Sequence, residues 1–214
     1  MKKRCYITGA GEHFQNDIFS PEKSDLVIAA DGGYIFHKLH GIRTDILIGD
    51  FDSINCTPGN DYKNIIKLNP VKDETDMLCA IQTGIEHGFS EFHIFGGTGG
   101  RNDHTIANIQ TLTWLAKNDF RGFLYSENEV MTVVYNSKIE FDKSFSGYIS
   151  VFSIDTESIN VTEKGLKYTV ENYNMKNDFP VGVSNEFTGN DSFVSVENGT
   201  LLVIYPRQKN RNPF

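Results

Sequence analysis

The sequence has few of the features that mark metal-thiolate, membrane or nucleic-acid-binding proteins. It has three cysteines in 214 residues and no Cys-x-x-Cys pair that would indicate a zinc site or a dithiol. No apolar run approaches the ~18 residues needed to cross a bilayer, and the one after the basic N-terminus is too short for a signal peptide. The net charge of −8 gives no basic surface for a nucleic-acid backbone. We therefore expect a cytoplasmic protein that binds neither membranes nor nucleic acid.

The apolar segments predict two regions of different architecture. Up to about residue 117, short apolar runs alternate with helical patterns, which is typical of a mostly parallel α/β sheet. We expect strands at residues 4–8, 25–30, 46–48, 65–68 and 91–95, and helices at residues 34–40, 74–87 and 104–117. The sequence thus predicts an α/β domain at residues 1–120.

From residue 121 the texture changes to short segments rich in Val, Ile, Thr, Tyr and Phe, separated by turn residues. Strands are expected at residues 148–154, 166–170 and 193–196. Asn198-Gly199 is a typical type I′ turn and predicts a hairpin between residues 193–197 and 200–205. Residues 121–214 are therefore predicted to form an antiparallel β-sandwich domain.

An aspartate pair follows the apolar strand at residues 46–48. In Gly-Asp-Phe-Asp-Ser (residues 49–53), Asp50 and Asp52 share one side if the backbone stays extended. Two adjacent carboxylates repel each other unless a cation lies between them, and Mg²⁺ prefers such oxygen ligands. A solvated turn is the alternative for this segment, but the pair favours a Mg²⁺ site.

Two further acidic segments could lie near this pair. Asp31 and Gly32 follow the strand at residues 25–30, so they are expected at the same edge of the sheet, either as part of a ligand site or as a simple turn. Asp76 lies in the first turn of the helix at residues 74–87 and could complete the metal site. Capping of the helix start would by itself explain Asp73 and Glu74.

A glycine-rich segment, Gly-Gly-Thr-Gly-Gly-Arg-Asn-Asp-His at residues 96–104, joins a strand to a helix. Its glycines let backbone N–H groups approach a phosphate, and Arg101 adds a rigid set of donors. No Gly-Lys-Ser/Thr follows, so this is not a Walker A loop. Asp103 could cap the helix, and His104 could orient a substrate or donate into the helix start. A second glycine pair, Gly9 and Gly11, has no role that the sequence assigns.

In this order, the motifs closely resemble those of the thiamine pyrophosphokinase (thiamine diphosphokinase) family. They are Ala-Asp-Gly-Gly (30–33), Gly-Asp-Phe-Asp-Ser (49–53), Lys-Asp-x-Thr-Asp (72–76) and the segment at residues 96–104, with Gly-Val-Ser-Asn-x-Phe at residues 182–187. The resemblance implies transfer of the pyrophosphoryl group of ATP to thiamine, giving thiamine diphosphate and AMP, in a homodimer with thiamine pockets at the interface.

The resemblance also implies roles for individual residues. The Mg²⁺-binding aspartates, also expected to be catalytic, are Asp50, Asp52 and Asp76. The nucleotide-binding residues are Asp31, Gly32, Lys72, Thr98, Gly99, Gly100, Arg101, Asp103 and His104. The thiamine-binding residues are Ser184, Asn185 and Phe187, with Phe187 offering an aromatic face to the thiazolium ring. The general base is not assigned.

Two alternatives remain on the residues alone. A Mg²⁺-dependent phosphohydrolase would use Asp50 as nucleophile with Lys72 as its partner, which leaves the Arg101 loop without a purpose. A non-catalytic nucleotide or thiamine sensor would bind its ligands without turnover.

Overall fold

The computed structural model of this protein describes residues 3–50, 64–69 and 73–208. They belong to two compact units, one of Met1–Thr111 with Asp119–Glu127 and one of Leu112–Asn118 with Asn128–Phe214. The first unit contains a parallel sheet and the second contains antiparallel sheets, so the predicted fold class is confirmed. Residues 121–125 form a strand parallel to that at residues 91–95, which is why residues 119–127 belong to the first unit.

The first unit is built around strands in the order β6-β5-β1-β2-β3-β4, in which all five neighbouring pairs are parallel. The strands are β1 (Cys5–Thr8), β2 (Leu26–Ala30), β3 (Ile46–Gly49), β4 (Ile65–Lys67), β5 (Glu91–Phe95) and β6 (Arg121–Tyr125). Helices α1 (Gly33–His40), α2 (Asp76–Glu86) and α3 (Asn102–Lys117) begin after β2, β4 and β5 respectively. The last residues of α3, from Leu112, belong to the second unit.

The central strands of this sheet are apolar because they are covered by other elements. β2 is buried at all five positions and β3 at all four, and α2 packs against β1, β2 and β3. Fully buried Ile and Leu side chains in such strands each stabilise the fold by about 1.5–3 kcal/mol. Because apolar side chains fill the middle of these strands, polar groups lie where the strands end.

The second unit consists of two antiparallel sheets, with strand orders β12-β9-β14-β7 and β11-β10-β13-β8. The strands are β7 (Glu129–Tyr135), β8 (Lys138–Phe141), β9 (Tyr148–Ser153), β10 (Glu157–Lys164), β11 (Val170–Lys176), β12 (Asn185–Glu186), β13 (Ser192–Ser195) and β14 (Thr200–Pro206). Phe141 on β8 and Tyr205 on β14 bring strands of the two sheets into aromatic contact, with ring centroids 5.2 Å apart. The two sheets therefore share one apolar core.

The predicted hairpin at Asn198-Gly199 is wrong. β13 pairs with β8 and β10, whereas β14 pairs with β7 and β9 in the other sheet. The chain instead crosses between sheets at this corner, with Gly199 at φ +134°. The Gly199 N–H donates to Asn136 Oδ1 at 2.7 Å, and Asn136 N–H donates to the Gly199 carbonyl at 3.1 Å. Two corners that pass between the sheets thus bind each other.

Further details differ from the predictions. Helix α3 begins at Asn102 rather than at residue 104, so Asp103 lies inside the helix and does not precede it as a cap. Residues 166–170 do not form a strand; Leu166 makes one isolated bridge with Phe187, and β11 begins only at Val170. Helix α2 begins at Asp76 rather than at residue 74. Its N-cap is Thr75, whose hydroxyl accepts from the Leu78 N–H at 3.2 Å, so Asp73 is not the cap.

A buried histidine ties helix α1 to its surroundings. His37 has no exposed surface, and its ring nitrogens hydrogen-bond with the hydroxyls of Thr8 at 2.7 Å and Thr44 at 2.8 Å. Burial lowers the pKa of His37 from 6.5 to about 4, with the charge of His13 adding to the effect. The neutral ring is therefore the form that the folded protein holds.

None of the helices in the described part of the chain has the length and apolar character needed to span a membrane.

We predict that His37 makes folding stability fall in acid. Between pH 6.5 and 4 the unfolded chain binds a proton that the folded protein does not, so about 3 kcal/mol of stability present above pH 6.5 is lost as the pH falls towards 4. Urea unfolding from pH 7.5 to 4.5 should show a shallower pH dependence in His37→Gln than in the wild type. His40→Gln, an exposed position on the same helix, is the control. An identical pH slope in His37→Gln and the wild type would contradict this origin.

Candidate active site

Several of the predicted site residues of the first unit lie at one edge of its sheet. Because β1, β2, β3 and β5 run in parallel, their carboxyl ends meet there. Asp31 follows β2, Asp50 follows β3, and the glycine-rich segment at residues 96–100 follows β5. Segments far apart in sequence are therefore neighbours at this edge.

Three aspartates form a cluster at this edge. Asp31, Asp50 and Asp76 each offer one carboxylate oxygen, and these oxygens all lie within 4.8 Å of one another. Asp31 is held beside the end of β3 by a 2.7 Å bond from its N–H to the Ile48 carbonyl, and it adopts a positive φ of 47°. Asp76 is placed by the start of α2, which Thr75 caps.

The cluster fits a hard divalent cation. Three partly exposed carboxylates within such a distance repel one another, and a cation between them relieves that repulsion. All three donors are oxygens, which suits Mg²⁺, and an open site leaves room for water and phosphate ligands. Asp31, which the sequence placed with the nucleotide, lies with Asp50 and Asp76. Asp52 and Lys72 lie outside the described residues.

The glycine-rich loop adopts a conformation that requires its glycines. Gly96, Gly99 and Gly100 have φ values of 60°, 78° and 58°, which residues with a Cβ rarely adopt. The loop is secured from within by Asn108, whose Nδ2 donates to the Gly97 carbonyl at 2.7 Å. The Thr98 side chain is buried, and its hydroxyl donates to the Tyr125 carbonyl at 3.3 Å.

The pair Gly9 and Gly11, whose role the sequence did not assign, supports this loop. The Gly9 N–H donates to the Phe95 carbonyl and the Gly11 N–H to the Gly96 carbonyl, both at 2.8 Å. A Cβ on Gly11 would lie 2.5 Å from the Gly96 oxygen, so only glycine allows the two segments to approach this closely. The segment after β1 therefore acts as a support for the loop after β5.

Glu12, which the sequence did not single out, contacts the outer part of the loop. Its Oε1 accepts from the Gly100 N–H at 3.2 Å. A phosphate oxygen binding to that N–H would have to replace or share this carboxylate. The contact shows that the exposed end of the loop can bind an anionic oxygen.

The charged residues that follow the loop are exposed. Arg101 forms a two-point ion pair with Asp103, through Nε to Oδ1 at 3.1 Å and through Nη2 to Oδ2. Arg101 thereby lowers the pKa of Asp103. Asp103 also accepts from the His104 N–H at 2.9 Å, within the first turn of α3. Since solvent weakens such an exposed pair, a phosphate can compete for Arg101.

The second unit contains a pocket of about 240 Å³ at the predicted thiamine segment. Apart from Glu163 and Asn185, its lining is aromatic or apolar, formed by Tyr168, Val170, Tyr173, Met175, Val181, Gly182 and Val183. Asn185 lines the pocket, whereas Ser184 is exposed with φ 59°. Phe187 is buried against Phe141 and Phe145, so it supports the core around the segment.

The hydrogen bonds of Asn185 are directed at the protein. Its Nδ2 donates to Glu163 Oε2 at 2.9 Å and to the Tyr168 carbonyl at 2.8 Å. Its Oδ1 accepts from the N–H groups of Tyr168 at 3.0 Å and Glu186 at 2.9 Å. Both amide hydrogens and both lone pairs are thus used, and Asn185 positions the pocket wall and Glu163.

Together, these features define a two-unit α/β protein with an acidic cluster and a glycine-rich loop on one sheet edge, an arrangement suited to a metal-bound phosphate group. Two family sequence patterns match the chain: "Thiamin pyrophosphokinase, catalytic domain" at residues 20–124 and "Thiamin pyrophosphokinase, vitamin B1 binding domain" at residues 136–201. The chain therefore belongs to the thiamine pyrophosphokinase family and is an enzyme. The resemblance drawn from the motifs is confirmed.

Individual relatives agree with this assignment. Thiamine pyrophosphokinase of Bacillus subtilis (strain 168) is 27% identical over 213 residues, covering 95% of this chain and 98% of that protein. Thiamin pyrophosphokinase 1 of Caenorhabditis elegans is 28% identical over 171 residues, covering 74% and 69%. The crystal structure of the Bacillus subtilis enzyme superposes with a TM-score of 0.86 at 24% identity, covering 96% of this chain and 100% of that chain, and shows the same fold.

We predict that Asp76→Asn abolishes stabilisation by Mg²⁺ because it removes one of the three clustered carboxylates. In the wild type, Mg²⁺ at 100-fold above its Kd should raise Tm by roughly 5–10 °C, measured by thermal unfolding without nucleotide. Asp73→Asn, an exposed aspartate three residues earlier, should retain the full shift. An undiminished shift in Asp76→Asn would show that the cluster does not hold the metal.

Proposed function

We propose that this enzyme transfers the pyrophosphoryl group of ATP to the hydroxyl of thiamine, forming thiamine diphosphate and AMP. The observation that carries the proposal is the shared sheet edge, on which the carboxylate cluster lies with the glycine-rich loop of a thiamine pyrophosphokinase catalytic domain. In the reaction the thiamine oxygen bonds to the β-phosphorus, and the bond from that phosphorus to the oxygen bridging the α-phosphate breaks. AMP keeps the electron pair, and the hydroxyl proton passes to a base that is not yet assigned.

The chain's own residues would perform most of this chemistry by positioning, which is the main demand of phosphoryl transfer. Asp31, Asp50 and Asp76 would hold Mg²⁺. The resemblance of the motif at residues 49–53 adds Asp52 to this set. When bound, the ion would neutralise charge on the phosphates and polarise the attacked phosphorus. The N–H groups of Gly99 and Gly100 would hold phosphate oxygens, which at Gly100 would replace or share the Glu12 carboxylate. Arg101 would turn from Asp103 to the nucleotide.

Thiamine would bind in the pocket of the second unit. Its two aromatic rings match a lining rich in tyrosine and aliphatic side chains. Around this pocket, large apolar side chains remain exposed, among them Tyr168 at 61%, Phe179 at 63% and Val183 at 51%. These exposed apolar side chains support a homodimer, in which a second copy of the chain would cover them. The enzyme would act in the cytoplasm, where ATP and Mg²⁺ are supplied.

The reaction is tested by incubating the protein with ATP and Mg²⁺, with and without thiamine, and resolving the nucleotides. We expect AMP only when thiamine is present. ADP with free phosphate, or turnover independent of thiamine, would refute the proposal and favour a phosphohydrolase. Binding of both ligands without turnover would favour a sensor.

We predict that Asp50→Asn lowers kcat by roughly 100-fold or more, because a bound metal supplies several kcal/mol of charge stabilisation. Asp73→Asn is the control.

We predict that Gly11→Ala weakens the use of ATP more than that of thiamine. The new Cβ would push against the Gly96 and Thr98 carbonyls, which it would meet at 2.5 and 2.9 Å, and displace the loop. We expect KM for ATP to rise roughly 10- to 100-fold, with KM for thiamine nearly unchanged. Gly41→Ala, which strains a positive φ in open space at the end of α1, controls for general destabilisation. Equal effects on both KM values would contradict a role confined to the loop.

A further inference from the structure

Glu163 is a buried carboxyl group in a position where a β-strand normally places an apolar side chain. It lies on β10 two residues after Val161, so the two side chains share the inward face, and both are buried. Glu163 is only 1% exposed and lines the pocket of the second unit. A charged residue at such a position is rare unless it is paired or has a functional role.

Only one oxygen of this carboxyl is used by the protein. Oε2 accepts from Asn185 Nδ2 at 2.9 Å, whereas Oε1 is buried and has no hydrogen-bond partner in the described part of the chain. Burial raises the pKa of Glu163, and the bond from Asn185 partly opposes that shift. An unused acceptor enclosed in a largely apolar pocket costs folding free energy, because its lost hydration is not replaced by a hydrogen bond. A ligand with a hydrogen-bond donor would relieve this cost.

The chemistry of thiamine offers two hydrogen-bond donors. One is its hydroxyl, which the proposed reaction requires at the phosphates of ATP. The other is the amino group on its pyrimidine ring, since the thiazolium ring carries no N–H. The pyrimidine ring is flat, which suits a pocket bordered by Tyr168 and Tyr173. By elimination, the amino group is the donor that can reach Glu163 while the hydroxyl reacts.

We propose that Glu163 determines specificity for the aminopyrimidine ring of thiamine, with Oε1 accepting a hydrogen bond from the amino group, an inference that rests on the proposed function. Asn185 is a positioning residue in this scheme. It holds Oε2 and the backbone around Tyr168, which leaves Oε1 as the oxygen available to the ligand.

The test compares thiamine with its 4-oxo analogue, in which a carbonyl replaces the amino group, in the wild type and in Glu163→Gln. In the variant, Asn185 Nδ2 should retain the side-chain oxygen of the glutamine. The NH₂ group of the glutamine would then face the ligand. This donor would meet another donor in the amino group of thiamine but an acceptor in the carbonyl of the analogue. We expect the ratio of kcat/KM for thiamine to that for the analogue to fall roughly 100-fold. Glu157→Gln, an exposed position on the same strand, should leave the ratio unchanged.

A binding measurement on the wild-type protein tests the same inference if Glu163→Gln does not fold. Calorimetry should show that thiamine binds roughly 10-fold or more tightly than an analogue with hydrogen in place of the amino group. Equal affinities would overturn the inference, as would an unchanged kcat/KM ratio in folded Glu163→Gln or equal losses for both substrates. If the wild type forms no AMP from thiamine, the proposed function itself is refuted. If the wild type does form AMP, any of the contradicting results refutes the role of Glu163 and leaves the proposed function intact.

Discussion

The parallel register of β1, β2, β3 and β5 is the constraint on which the proposed catalytic site depends. Because these strands point the same way, the segments that follow them meet at one edge, and each segment can contribute a different chemical group. Asp31 and Asp50 come together because β2 and β3 are neighbours, with Ala30 opposite Ile48. The loops after β1 and β5 bind each other through backbone hydrogen bonds for the same reason.

The two candidate ligand regions differ in how their carboxyl groups are surrounded. In the first unit, three carboxylates are left close together and partly exposed, where a cation and solvent can stabilise them. In the second unit, a single carboxyl group is enclosed among apolar and aromatic side chains and anchored by one amide. The first arrangement suits a mobile, highly charged group such as a metal-bound polyphosphate. The second suits a flat ring recognised by a single directed hydrogen bond, because an enclosed acceptor discriminates strongly between a donor and a mismatched group.

The glycines around the first site show how backbone geometry replaces side-chain chemistry. Three residues of the loop after β5 have positive φ, and Gly99 and Gly100 at its outer end are exposed. The segment containing Gly9 and Gly11 then fixes the inner end through contacts too close for any Cβ. The loop can therefore be rigid near the sheet and accessible at its tip, as binding of a phosphate requires.

The sequence by itself determined the features that depend on local pattern and motif order. Apolar runs alternating with helical periodicity predicted the parallel sheet, and the ordered motifs predicted the family, because neighbouring residues carry both signals. Only the tertiary structure decided which distant residues meet. The sequence expected Asp31 at the same edge as Asp50, and the structure brought it within 4.8 Å of both Asp50 and Asp76. The structure also gave Gly9 and Gly11 a role, and it separated β13 from β14 although Asn198-Gly199 is a good local hairpin turn. Glu163 illustrates the physical reason: its alternation with Val161 indicates an inward position, but the cavity and the remaining oxygen exist only once β10, β11 and the segment around Asn185 have packed together.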